Sequence, residues 1–129
     1  MKRKMFFCMA LAMLLTGTVN GETLSRYQAA LIEALKGDPA AQNKVGSYSK
    51  IGIGTERNDR EAARWYRAAA EQGYAEAQFN LGEMYEEGRG VKLDLAEALD
   101  WYRKACDNGW QCGCRKYRMM TENHDSGCN

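Results

Sequence analysis

The chain has one proline, one histidine and, after its first fifteen residues, no apolar run approaching the roughly 20 residues that cross a membrane. The lone histidine, His124, sits in a polar tail, so no His-Asp-Ser set can be built around it. There is no glycine-rich phosphate loop and no dinucleotide fingerprint. No paired Cys-x-x-Cys spacing occurs, so Cys112, Cys114 and His124 are ligand types for zinc without the spacing of a zinc site. No metal and no cofactor are therefore expected. An excess of charge is also missing, with 18 basic against 17 acidic residues, which removes the electrostatic case for nucleic acid or anionic lipid as a partner.

What is present begins with a basic start, Met1-Lys2-Arg3-Lys4, an apolar stretch from Met5 to Leu15, and small or polar residues up to Gly21. That order reads as a secretory signal peptide over residues 1–21, cleaved before Glu22, with no membrane insertion afterwards. Cys8 lies in the apolar stretch with no lipobox around it, so no lipid anchor is expected. The mature chain would carry a charge of about −2 and four cysteines, Cys106, Cys112, Cys114 and Cys128. An even number of cysteines near the end of an exported chain reads as two disulfides in an oxidising periplasmic or extracellular compartment, and the residues alone leave all three connectivities open.

The middle of the chain repeats itself. The segment 74–109 matches 38–73 at an offset of 36 residues: Ala41 with Ala77, Gln42 with Gln78, Gly46 with Gly82, Gly52 with Gly88, Gly54 with Gly90 and Ala62 with Ala98. Further on, Trp65-Tyr66-Arg67 matches Trp101-Tyr102-Arg103, Ala69 matches Ala105 and Gly73 matches Gly109. A period of this length marks a supersecondary unit whose open face is buried only by its neighbour, so function belongs on a surface.

Local signals divide each unit into two helices. Leu24, Tyr27, Leu31, Ile32 and Leu35 recur at helical spacing before Gly37, which predicts an amphipathic N-terminal capping helix over 22–37 with those side chains on its apolar face. Asp38-Pro39 restarts a helix to about Lys50, with Asp as N-cap and Pro in the first turn. Gly52 and Gly54 permit a tight turn, and Asn58 caps a second helix closing at Gly73. The next unit copies this plan, with helices from about Ala75 to Glu87 and from an N-cap at Asp94 to Asp107. A C-terminal half-unit starts at Trp110 and runs to about Met120, within a cysteine-bearing end over 110–129. Trp65, Tyr66, Trp101 and Tyr102 are expected in the core.

Residues Ala77-Gln78-Phe79-Asn80-Leu81-Gly82-Glu83-Met84-Tyr85 through Gly88-Arg89-Gly90-Val91, with Asp94, Ala98, Trp101-Tyr102-Arg103-Lys104-Ala105 and Gly109, resemble the Sel1-like repeat. The first unit departs from that pattern at Val45, Ser49 and Thr55 and reads as a diverged copy. The resemblance implies an all-α fold, a short α/α solenoid of about two helix-turn-helix repeats (38–73 and 74–109) with a capping helix at each end, related to tetratricopeptide arrays. Lys104-Ala105-Cys106 with Gly113-Cys114 resembles a cysteine-rich secreted subfamily, which implies a Cys106–Cys114 disulfide and leaves Cys112 for Cys128.

Solenoids of this kind present the inner faces of their first helices to a partner. Tetratricopeptide-like geometry implies a concave face made of Asn43, Ser47, Lys50, Glu76, Phe79, Glu83, Glu86 and Glu87, with Phe79 as apolar anchor among acidic groups. The function expected is therefore an exported protein–protein interaction module rather than an enzyme. It would act as an adaptor, or as an immunity protein against a secreted effector, its partner being such an effector or an envelope component. The alternative is a cysteine-rich enzyme: Ser47-Tyr48-Ser49-Lys50 has the Ser-x-x-Lys spacing of beta-lactamases but lacks the Ser-Asp-Asn and Lys-Thr-Gly companions. Cys112-Gly113-Cys114 would be the pair for thiol–disulfide chemistry.

Overall fold

The computed structural model describes residues 21–122, and within them the chain forms six helices and no strand. These are α1 (Gly21–Leu35), α2 (Pro39–Ile51), α3 (Asp59–Glu71), α4 (Ala75–Glu87), α5 (Leu95–Asp107) and α6 (Gln111–Glu122). Helices α2 and α3 form one hairpin and α4 and α5 the next. α1 precedes them in the register of a second helix, and α6 follows in the register of a first.

The helix starts are made by the expected short polar residues. Asp38 accepts from the Ala41 amide at 2.8 Å, Asn58 from Glu61 at 3.0 Å, and Asp94 from Ala96 and Glu97 at 3.1 Å. Helix α4 alone among α2–α5 starts without such a cap, because Tyr74 stands at the position of Asp38. Its ring instead packs against the cluster around Ala70, Ala77 and Leu81.

Within each hairpin a glycine on the first helix meets a tyrosine on the second. A Cβ on Gly46 would stand 2.7 Å from the Tyr66 ring, and one on Gly82 the same distance from the ring of Tyr102. The helices therefore approach until ring touches backbone, and Tyr66 and Tyr102 are buried. Trp65 and Trp101, expected in the core beside them, pack against the two core clusters from the edge and stay half-buried: Trp65 donates its indole N–H to Glu61 at 2.9 Å, and the Lys104 ammonium lies over Trp101 at 4.2 Å. One step along a helix turns a side chain by about 100°, so of two adjacent aromatics only one can point into the hairpin.

The capping helix α1 also differs from its expected face. Leu24, Ile32 and Leu35 are exposed, Leu35 by 71%, while Ala30 and Ala34 are the buried residues. They pack with Ala41 and Val45 of α2, and Tyr27 and Leu31 close the edge of that cluster. Small side chains win this face because close helix approach excludes large ones.

Between hairpins, a glutamine eight residues beyond the last turn of the preceding helix reaches back to it. Gln42 donates to the Ala34 carbonyl at 3.2 Å, and Gln78 donates to the Ala70 carbonyl at 3.1 Å. Each glutamine oxygen then accepts from the end of its own hairpin, Gln42 from Gln72 at 2.7 Å and Gln78 from Asn108 at 2.9 Å. At the third junction the same two positions are Cys106 and Cys114, joined as a disulfide with Cα atoms 4.4 Å apart.

The turn of each hairpin also rests on the helix before it. A Cβ on Gly90 would lie 2.1 Å from the Asp59 carbonyl oxygen, and one on Gly54 2.4 Å from that of Thr23. Beside Gly90, Arg89 pairs with Asp59 at 3.1 Å and holds its carboxyl below the usual aspartate range.

Gly90→Ala and Gly73→Ala form a controlled pair, since both residues have positive φ but only Gly90 faces a neighbour. Each should lose about 1 kcal/mol from the backbone conformation, and Gly90→Ala a further 1–3 kcal/mol from the clash, read by urea unfolding. Reducing the Cys106–Cys114 bridge, or replacing both residues by Ser, should cost about 2.5 kcal/mol through its short loop, read the same way under matched conditions.

Candidate partner-binding face

The first helices α2, α4 and α6 stand side by side, because side chains from each reach the next. Asn80 of α4 donates to the Asn43 side-chain oxygen at 2.9 Å, Lys50 of α2 pairs with Glu83 at 3.8 Å, and Lys116 of α6 pairs with Glu86 at 2.9 Å. These contacts put side chains of three first helices on one shared face, and three features of it differ from a simple acidic groove with a free apolar anchor.

Asn43 is not offered to a groove: it is 5% exposed and occupied by Asn80. Phe79 is not a free anchor either. Its ring lies 5.5 Å from Tyr102 and 6.4 Å from Trp110, both tilted, so it forms part of a half-buried aromatic cluster. Finally, the face is not simply acidic. Glu83 and Glu86 are neutralised by Lys50 and Lys116, while exposed Glu87 pairs with Arg89 at 3.3 Å and Glu76 stands half-exposed. Lys116 escaped the sequence reading although the period could have found it, since it lies one offset beyond Asn80 on the same helix face.

The two paired glutamates sit in opposite electrostatic states. Burial raises the Glu83 carboxyl above the ordinary glutamate value; Lys50 offsets part of this and neighbouring Glu87 adds to it. Burial also acts to raise Glu86, but the hydroxyl donated by Tyr102 and the ammonium of Lys116 outweigh it and hold the carboxyl low. Burial and that same Glu86 carboxylate push the Tyr102 phenol far up, so it remains a donor.

The residues of the enzyme alternative are engaged elsewhere. Ser47 bonds the Asn43 carbonyl at 3.1 Å and the Tyr66 hydroxyl at 3.2 Å, whereas Lys50 points to Glu83, so the pair does not form a nucleophile and base. Cys114 is bonded to Cys106, not Cys112, which removes the Cys112-Gly113-Cys114 pair as a dithiol centre. His124, Cys128 and a Cys112–Cys128 bridge lie outside the described residues. Among the described residues no cluster of three or more His, Cys, Asp or Glu could hold a metal ion, and no helix is long and apolar enough to cross a membrane.

Hairpins stacked at a fixed period, clamped at their junctions and lined by interlocked polar side chains, define an α/α-solenoid repeat protein. The Sel1 repeat model matches residues 39–74 and 75–110, and the chain belongs to the Sel1-repeat family. It is similar to a solved Sel1 repeat protein from Oxalobacter formigenes, with 36% identity and a TM-score of 0.67 over 85% of this chain and 50% of that one. It is likewise similar to a protective antigen present in uropathogenic Escherichia coli strains that displays an SLR fold. There the identity is 37% and the TM-score 0.64, over 77% of this chain and 21% of the other. The chain thus spans half or less of the length of both structures. No curated protein matches it. Sel1-repeat proteins are in general protein–protein interaction modules, and their fold is typically non-catalytic.

The opposite states of Glu83 and Glu86 carry opposite pH signatures. A carboxyl raised in the fold favours the folded state below its unfolded value and weakens it as pH climbs through the folded one. A lowered carboxyl contributes stability above its unfolded value that is lost on acidification through the folded one. The melting temperature of Glu83→Gln relative to wild type should therefore become more favourable from about pH 3.5 to about pH 7. That of Glu86→Gln should become less favourable over the same range.

Proposed function

We propose that this protein is exported, and that it holds a segment of another protein against the face formed by α2, α4 and α6. The observation that carries the reading is the construction of that face. Paired charges and a half-buried aromatic cluster span three helices there, which leaves polar groups and ring edges available to a partner without exposing the packed core. Export is supported by the basic-then-apolar pattern of residues 1–21 and by the Cys106–Cys114 disulfide, which suits an oxidising compartment. The partner is a secreted effector or an envelope component, and because Glu83 and Glu86 are already neutralised, it needs charges of both signs rather than a basic run.

Cell fractionation with intact-mass measurement should find the chain in the envelope, beginning near Glu22. Recovery of the full-length chain from the cytoplasm would refute export. A protein captured by wild type from envelope extract should bind the double variant Glu76→Lys/Glu87→Lys at least about tenfold more weakly. It should bind Glu97→Lys on α5 normally. Equal binding by both variants would move the site off the concave face.

A further inference from the structure

Among the described residues α1 stands in the register of a second helix and α6 in that of a first, and the other half of neither hairpin is described. Helix α1 keeps register with α3 and α5 through Ala34, Ala70 and Cys106, and α6 keeps register with α2 and α4 through Gln42, Gln78 and Cys114. We infer that the two half-units complete each other between molecules. Helix α6 of one copy seats between α1 and α2 of the next, so that copies stack head to tail through a composite hairpin.

The seat is present in the structure. An open, mostly apolar groove of about 450 Å³ runs between α1 and α2, with Ala29, Ala30 and Ala41 on its floor and Arg26, Glu33 and Lys44 along its sides. At the equivalent place between α3 and α4 lies a first helix, α2, whose Gly46 meets Tyr66 of α3 and whose Asn43 bonds Asn80 of α4. The groove is where the stack would continue.

Size supports α6 as its occupant. In both complete hairpins the first helix is small and the second large at the contact, Gly46 against Tyr66 and Gly82 against Tyr102. The half-units reverse this: the position equivalent to glycine is Arg118 in α6, and the position equivalent to tyrosine is Ala30 in α1. A long aliphatic stem thus faces a methyl group, and the volume taken by a ring inside the hairpins is taken by arginine between copies.

Charge gives the same answer. The α4 residues that meet Tyr102, namely Phe79, Gly82 and Glu86, correspond to Arg115, Arg118 and Glu122, all exposed. Antiparallel seating brings Arg118 toward Glu33 and Glu122 toward Arg26 of the neighbouring copy. Glu33 is solvated and, among the described residues, paired with Lys36 of its own helix, so it can accept the arginine. Glu122 also falls opposite Lys44, repeating at the copy boundary the Glu86–Lys116 pair that joins α4 to α6 at 2.9 Å. One contact opposes, since Arg115 takes the place of Asn43 and faces Lys44 where Asn80 would stand, which keeps the association weak and salt-sensitive. A heterologous contact of this kind adds copies past the dimer, as an open stack or as a ring where the rotation closes.

The seat adjoins the start of α1, so the inference rests on removal of residues 1–21, which intact mass reads independently of association. The protein recovered from the envelope should show, by sedimentation velocity from about 10 μM to about 1 mM, a mass that rises past the dimer and falls back with added salt. Arg118→Glu and Glu33→Arg should each weaken association at least about tenfold without changing helical content, because both residues are exposed. An equimolar mixture of the two variants should associate again, since complementary charges meet between unlike chains. Stacking is overturned if the leader-free chain stays monomeric at about 1 mM, if growth stops at a dimer, or if the mixture fails to recover. A chain that keeps residues 1–21 refutes export by its mass alone; if it also fails to associate, stacking is overturned for the protein as it exists.

Discussion

The structure depends on one contact made three times, between the last turn of a second helix and the first turn of the next first helix, eight residues later. In two junctions it is an amide: Gln42 to the Ala34 carbonyl and Gln78 to the Ala70 carbonyl. In the third it is covalent, Cys106 to Cys114. A buried glutamine that lost its carbonyl would leave polar groups unsatisfied at a cost of about 1–3 kcal/mol, so the amide fixes the angle at which one hairpin meets the next. The disulfide does the same work at the junction of α5 with α6.

That clamp explains why the first unit tolerates divergence. Its Ser49 stands where the second unit has Tyr85, and Tyr27 of the preceding helix α1 lies one offset before Ala63. The aromatic ring thus stands on opposite helices of the two junctions, Tyr85 of α4 against the cluster that contains Ala63 in one and Tyr27 of α1 at the pocket lined by Ser49 in the other. The exchange is imperfect, because the Ser49 hydroxyl is buried and finds no hydrogen-bond partner among the described residues. Tyr85, half-buried, accepts instead from Arg67 of the preceding hairpin. Junction geometry survives because Gln42 still reaches Ala34.

The face shared by α2, α4 and α6 inherits the same geometry. Neighbouring first helices are brought close enough for Lys50 to meet Glu83 and for Lys116 to meet Glu86, at separations of 33 and 30 residues. A face that reads as acidic along one helix becomes mixed once the helices on either side contribute their lysines. Polar complementarity of this sort confers selectivity on a partner more than raw affinity.

Helix positions were legible in the sequence because they are set locally. Asp38, Asn58 and Asp94 cap the amides that follow them, and glycines such as Gly52 and Gly88 stop helices in a backbone conformation that side chains resist. The period was legible because stacked copies need like residues at like places. What a side chain meets was not, since that depends on the rotation between one hairpin and the next. Whether tyrosine or tryptophan enters the hairpin, whether alanine or leucine seals α1, and which lysine neutralises which glutamate follow from distances of a few ångströms between helices remote in sequence. The sequence by itself determined the repeat and its helices, through caps, glycines and spacing that act within a few residues. Only the tertiary structure decided the character of the face shared by α2, α4 and α6, because contacts across the stack appear when the clamped junctions set the helices side by side.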